Sequence, residues 1–213
     1  MSLLSDFLTN DYASHFGVTW NSSVMSLRVE YPASICFEIE DKKPSIVQPT
    51  GQGVSIIRRK DEMVEVLDLE DFMKMIHGRD NTPSSCDFVI SPQLSSDFLV
   101  LNELTRSKSE YVRQFVQPKT GEEREGKLDV AKKQLIATIN RFYEVSDFCD
   151  QYANRTALFS CRLSDKTKKS LMAKSARSFN SGIYRLQRIR LHESLPHGFV
   201  FKLRVYSDEY RIG

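Results

Sequence analysis

The chain of 213 residues is 40% hydrophobic and 27% charged, which suits one medium globular domain and excludes a fibre or a disordered tail. Its longest apolar runs, such as residues 98–101, are too short to cross a bilayer. The opening MSLLSDFLTNDY carries Asp6 and Asp11 without a basic start, so a cytoplasmic protein with no membrane partner is expected, and the net charge of +2 is unevenly spread.

Residues 1–20 read as a helical lead-in, with Leu3, Leu4, Phe7 and Leu8 at helix-like spacing. Residues 24–29 and 34–40 read as strands, the second alternating Ile35, Phe37 and Ile39 with Cys36, Glu38 and Glu40. Asp41 to Pro44 breaks the pattern as a turn, and 46–48 and 54–59 read as further strands. Leu69, Phe72, Met73 and Ile76 then fit an amphipathic helix over 68–77, capped by Asp68 and closed by Gly78.

A polar loop over 81–85 leads to a short strand over 86–90, a turn over 91–97 and a second strand over 98–105. The apolar start FLVL of that second strand predicts cover on both faces. A polar stretch holding Pro118 and Gly121 runs to about Gly126. The clearest helix spans 127–148, where Leu128, Ala131, Leu135, Ile139 and Phe142 recur every three or four residues while Lys132, Lys133, Asn140 and Arg141 face elsewhere. Residues 156–161 read as a buried strand and 199–205 as the last one. Strand, helix, strand in that order predicts a crossover and a parallel pair.

Cys36, Cys86, Cys149 and Cys161 show no C-x-x-C spacing, and His15, His77, His192 and His197 are scattered. Buried thiols are expected rather than a zinc site or disulfides. The chain carries no H-E-x-x-H, G-x-S-x-G or P-loop pattern, which disfavours those enzyme classes.

The chemistry points instead to two acids. Asp87 opens the first of the two central strands and Glu103 lies near the end of the next. Strand alternation puts Leu99, Leu101, Glu103 and Thr105 on one face, and a hairpin-like turn would bring the carboxylates together. Such a pair suits Mg²⁺ or Mn²⁺, hard cations that take oxygen ligands and water. The plain alternative for Glu103 is a strand-end carboxylate paired with Arg106 or solvated. Acids inside an apolar strand pair nevertheless cost stability unless they meet a cation or donors.

This layout of an Asp on one strand, Glu-Leu-Thr on the next, a helix over 127–148 and a strand over 156–161 resembles the PD-(D/E)xK nuclease superfamily. The match covers about residues 68–162 of a single domain, 1–213. The resemblance implies an α/β, restriction endonuclease-like fold with a mixed central sheet flanked by helices. It also implies Mg²⁺ or Mn²⁺ held by Asp87 and Glu103, and phosphodiester cleavage of DNA or RNA, in a bacterial antiviral defence or mobile-element setting. Cys86 stands where the family's proline precedes the Asp, and Thr105 stands where its lysine positions the attacking water. A lysine from elsewhere (Lys108, Lys127, Lys132 or Lys133) is one replacement. The metal alone, or an inactive site kept for binding, are the others. Gln134 resembles the helix glutamine of several nuclease subgroups, its plain alternative being a surface residue. Glu70 is either an extra acidic ligand or, with Asp68 and Asp71, favourable charge at a helix N-terminus.

From Arg155 to Gly213 there are thirteen Lys and Arg against four Asp and Glu, while residues 1–154 carry seventeen against twenty-four. The densest part includes Lys166, Lys168, Lys169, Lys174, Arg177, Arg185 and Arg188, with Phe179, Tyr184 and Tyr206 interleaved. Nucleic acid is the expected partner of such a stretch, and a solvated basic face or an acidic protein partner subunit is the alternative. Two functions follow: a metal-dependent nuclease, or a catalytically inactive module of the same fold that binds nucleic acid or a partner subunit. A protein-only interaction module is a third.

Overall fold

The computed structural model describes residues 2–47, 51–107, 111–112, 115–117, 120–163, 193–206 and 208–212. The chain starts with two short helices, α1 (Leu3–Asp6) and α2 (Ala13–His15), joined through a π-helical stretch, Phe7–Tyr12. Of the apolar residues expected at helical spacing, Leu4, Phe7 and Leu8 turn inward while Leu3 is exposed; Phe7 stacks on Phe148 at 4.1 Å, and Tyr12 meets Phe72 edge-on at 5.4 Å.

A seven-stranded mixed sheet forms the centre. Its strands are β1 (Val29–Glu30), β5 (Val64–Asp68), β6 (Phe88–Pro92), β7 (Phe98–Ser107), β10 (Asn154–Leu163), β12 (Val200–Val205) and β11 (Glu193–Ser194), side by side in that order. β5, β6 and β7 run antiparallel, whereas β10 is parallel to both β7 and β12. A second sheet has the order β13 (Glu209–Ile212), β4 (Ser55–Arg59), β2 (Cys36–Ile39) and β3 (Ile46–Val47). The polar stretch before Gly126 holds a small ribbon of β8 (Phe115–Val116) and β9 (Glu123–Arg124).

Strand alternation divides the core in two. Leu99, Leu101, Ala157, Phe159 and Phe201 pack on the helices, and Phe98, Val100, Leu104 and Leu158 pack on Phe37, Ile39, Ile57 and Tyr210 of the second sheet. The expected central mixed sheet is present, but among the described residues helices cover only one of its faces. The other face is covered by the second sheet, whose short strands come from the N-terminal and C-terminal parts of the chain.

Helix α3 (Leu69–His77) keeps the expected caps: the Asp68 side chain accepts from Asp71 N at 2.9 Å, and Gly78 leaves the helix at φ 78°. Helix α4 (Lys127–Val145) stops short of Phe148. Ser146 is extended there and its hydroxyl accepts from Phe148 N at 3.3 Å, the local competition with helix typical of serine, and a 3₁₀ turn Phe148–Gln151 follows.

Three strand expectations need correction. Within 24–29 only Val29 joins the sheet. β5 is a central strand without a sequence counterpart, because Glu65 interrupts its apolar pattern. Glu65 is buried nonetheless, and it accepts from the hydroxyls of Ser2 and Ser91. β12 is followed by β13, which crosses to the second sheet and pairs with β4. No helix among the described residues is long and apolar enough to cross a membrane.

Candidate metal centre at the β6–β7 hairpin

The β6–β7 register pairs Phe88 with Asn102, Val89 with Leu101 and Ile90 with Val100. Continuing it by one residue sets Asp87 opposite Glu103. Across the parallel strands Glu103 is level with Phe159 of β10 and Leu203 of β12, near the middle of the ladder.

Asp87 is held from three sides. Its Oδ2 accepts from Leu104 N at 2.7 Å, and its backbone carbonyl receives the first N–H groups of α3, from Leu69 at 2.9 Å and Glu70 at 3.4 Å. The preceding residue is pinned by α4, where Thr138 Oγ1 accepts from Cys86 N at 2.9 Å. One turn earlier on α4, Gln134 Nε2 donates to Ser85 O at 3.3 Å. Residues 85–87 are thus fastened to α3, to α4 and to β7 by backbone groups that would otherwise be unpaired.

Glu103 faces the helices with Leu99, Leu101 and Thr105 and is only 7% exposed. Burial pushes its carboxyl well above the usual carboxylate range, and the facing Asp87 pushes it further. The Asp87 N–H and the Gln134 amide offset part of that rise. Asp87 is raised as well, first by burial, against the Leu104 N–H, with Asp41, Glu70 and Asp68 adding negative charge. Glu103 Oε2 is buried with no hydrogen-bond partner. A buried, unpaired acidic oxygen beside a second carboxylate is an expensive arrangement. Asp87 and Glu103 would be the residues to hold a divalent cation, whose positive charge would offset that cost.

The donor set fits such an ion. Among the described residues no group of three or more His, Cys, Asp or Glu is arranged to hold a metal. Mg²⁺, however, keeps several waters and is commonly bound through one or two carboxylates. Asp41 comes from the turn between β2 and β3 and acts on both acids of the pair, a contribution that a turn residue so far away in sequence does not announce. Glu70 is engaged by Lys74 at 2.7 Å, and Asp68 serves as cap and as partner of Arg28 at 3.2 Å, so both are used within α3 and its surroundings.

Thr105 is half-buried two residues beyond Glu103 and pairs with Cys161 across the β7–β10 ladder. It brings a hydroxyl and no charge. Lys132 is committed to Glu193 at 2.7 Å, Lys133 to Glu125, and Lys127 is exposed at the first position of α4. Seven residues separate Lys127 from Gln134, about 10 Å along the helix. Lys108 lies outside the described residues. Arg106 pairs with Glu40 at 2.6 Å, so it is not the partner of Glu103.

Lys166, Lys168, Lys169, Lys174, Arg177, Arg185 and Arg188, with Phe179 and Tyr184, also lie outside the described residues. Of the basic residues that are described, Arg162 stacks over Tyr206 at 3.8 Å and donates to the carbonyls of Gly53 at 2.6 Å and Gly51 at 2.9 Å. Cys86, Cys149 and Cys161 are buried and Cys36 is half-buried. Burial raises the thiols of Cys86 and Cys149, which leaves them poor nucleophiles. No protein-family model, no curated protein and no solved structure matches the chain.

Proposed function

We propose that the Asp87–Glu103 pair is a Mg²⁺ or Mn²⁺ site for hydrolysing phosphodiesters of DNA or RNA, on a divergent restriction endonuclease-like core. The observation that carries this reading is the unpartnered, buried Oε2 of Glu103 facing a second buried carboxyl. The order of elements supports it too: Asp87 immediately before β6, which starts at Phe88 and not at the expected residue 86, Glu103 on β7, α4 across them and β10 parallel to β7.

In this reading Asp87 and Glu103 provide the oxygen ligands. A bound divalent ion supplies a water of lowered pKa and positive charge against the phosphate. Leu104 N–H fixes one oxygen of Asp87, and the Gln134 amide steadies Glu103, so both carboxylates keep their orientation when deprotonated. The Thr105 hydroxyl is placed on the same face to hydrogen-bond to a water or a phosphate oxygen, in the position where the family carries a lysine.

A second reading is favoured by a specific observation: Thr105 is uncharged, and Lys132 and Lys133 are tied to acids elsewhere. On that reading the same core binds nucleic acid or a partner subunit without cutting. The two separate in a cleavage assay on linear duplex, single-stranded DNA and RNA with Mn²⁺ or Mg²⁺. Metal-dependent cutting lost in Asp87→Asn and in Glu103→Gln supports hydrolysis. Salt-sensitive binding without cutting, unchanged in both variants, supports the binding module.

A further inference from the structure

Away from the carboxylate pair, the N-terminal helices and residues 20–31 enclose a groove of about 440 Å³ on the β1 side of the main sheet, within the usual range for small-molecule pockets. One wall is polar: Ser2, Ser5 and Thr9 line it from α1 and the π-helical turn. Trp20, Met25 and Tyr31 line the groove as well. None of the described residues lining the groove is charged.

The described lining side chains offer no counter-charge to a phosphate, a carboxylate or an amine. The hydroxyl chemistry narrows the choice further. Thr9 Oγ1 donates its proton to Ser5 O at 2.9 Å. Ser2 Oγ contacts the Glu65 carboxyl and accepts from Ser5 N at 3.1 Å. With its proton committed inward, the Thr9 oxygen offers lone pairs to the groove and favours a ligand with N–H donors. Trp20 is the only tryptophan of the chain, half-buried, with the Phe72 ring 6.2 Å away and tilted by 37°, and its indole supplies an aromatic surface to the groove. The π-helical turn that presents Thr9 is a rare geometry, often found at functional sites.

We propose that this groove binds a neutral, planar heteroaromatic bearing N–H groups, a nucleobase or nucleoside, stacked on Trp20 and hydrogen-bonded to the Ser2–Ser5–Thr9 wall. The ligand is a free nucleoside or an unpaired base within a strand, and both present the same chemistry.

The test titrates the full chain with adenosine and with cytidine while following tryptophan emission, which reports Trp20 alone. Saturable quenching is expected, weakened about tenfold in Thr9→Val, the effect of one lost hydrogen bond. Tyr31→Ala, at a position 62% exposed and therefore tolerant, is expected to weaken it too, whereas Glu103→Gln leaves it unchanged. A short oligonucleotide that binds more tightly than the nucleoside identifies the strand source, and equal affinity identifies the free nucleoside. No saturable change at millimolar nucleoside, or saturation of equal affinity in Thr9→Val and Tyr31→Ala, overturns the proposal. Because neither result involves metal or cleavage, this outcome is independent of the Asp87–Glu103 reading.

Discussion

Replacing Glu103 by Gln is the sharpest probe of the carboxylate pair. The buried carboxyls of Glu103 and Asp87 both titrate above their ordinary values. The folded chain therefore holds protons that the unfolded chain has already lost above about pH 4. Stability must fall as pH rises through the window between the unfolded and the folded values. For one such carboxyl the fall is about 1.4 kcal/mol per pH unit inside that window, so a window of even about two pH units brings a loss of about 3 kcal/mol by pH 8. Glu103→Gln keeps the shape of the neutral acid and removes its charge, and it also relieves Asp87. It is expected to stabilise the metal-free protein by about 3 kcal/mol at pH 8, a rise of about 6–12 °C in Tm for a chain of this size. At pH 4 the two proteins should be nearly equal. The assay is thermal and urea denaturation of both proteins from pH 4 to 8 without divalent metal. Parallel stability curves across that range would refute the reasoning, since they would mean that Glu103 is solvated or already paired.

Three further outcomes follow from the same geometry. Asp87→Ala removes the acceptor of Leu104 N–H and is expected to cost about 1–3 kcal/mol in urea unfolding, while Asp87→Asn, which keeps a carbonyl oxygen there, costs less. Thr138→Val leaves Cys86 N–H unpaired in the interior and is expected to lower stability by a similar amount, about 1–3 kcal/mol, with Thr138→Ser restoring most of it in the same measurement. Gln134→Ala should weaken Mn²⁺ binding by about 10- to 100-fold in calorimetry, as loss of an outer-shell partner does, with little change in Tm.

Local chemistry makes α3, α4 and the β6–β7 hairpin legible in the sequence. Asp68 and Gly78 mark the ends of one helix, the spacing from Leu128 to Phe142 fixes the inward face of the other, and strand alternation puts Glu103 with Leu99 and Leu101. What stays hidden depends on long-range pairing. β5 carries Glu65, whose charge breaks the strand pattern and which becomes tolerable only when Ser2 and Ser91 come together around it. The second sheet joins β13 to β4 across most of the chain, and no local signal announces that pairing. Asp41 reaches the carboxylate pair from a turn that reads simply as a chain reversal. The spacing on α4 leaves Gln134 open between a surface role and a site role, and only the docking of that helix against Ser85 and Glu103 places it beside the pair.

Mn²⁺ titration of the folded, metal-free chain at pH 7 by calorimetry, in two buffers of different ionisation enthalpy, tests the metal centre most directly. Uptake of Mn²⁺ with release of protons from the Asp87–Glu103 pair is expected, abolished in Asp87→Asn and strongly weakened in Glu103→Gln. A folded wild-type chain that takes up no Mn²⁺, or one whose uptake is untouched by both substitutions, would contradict the assignment of this pair as a metal site.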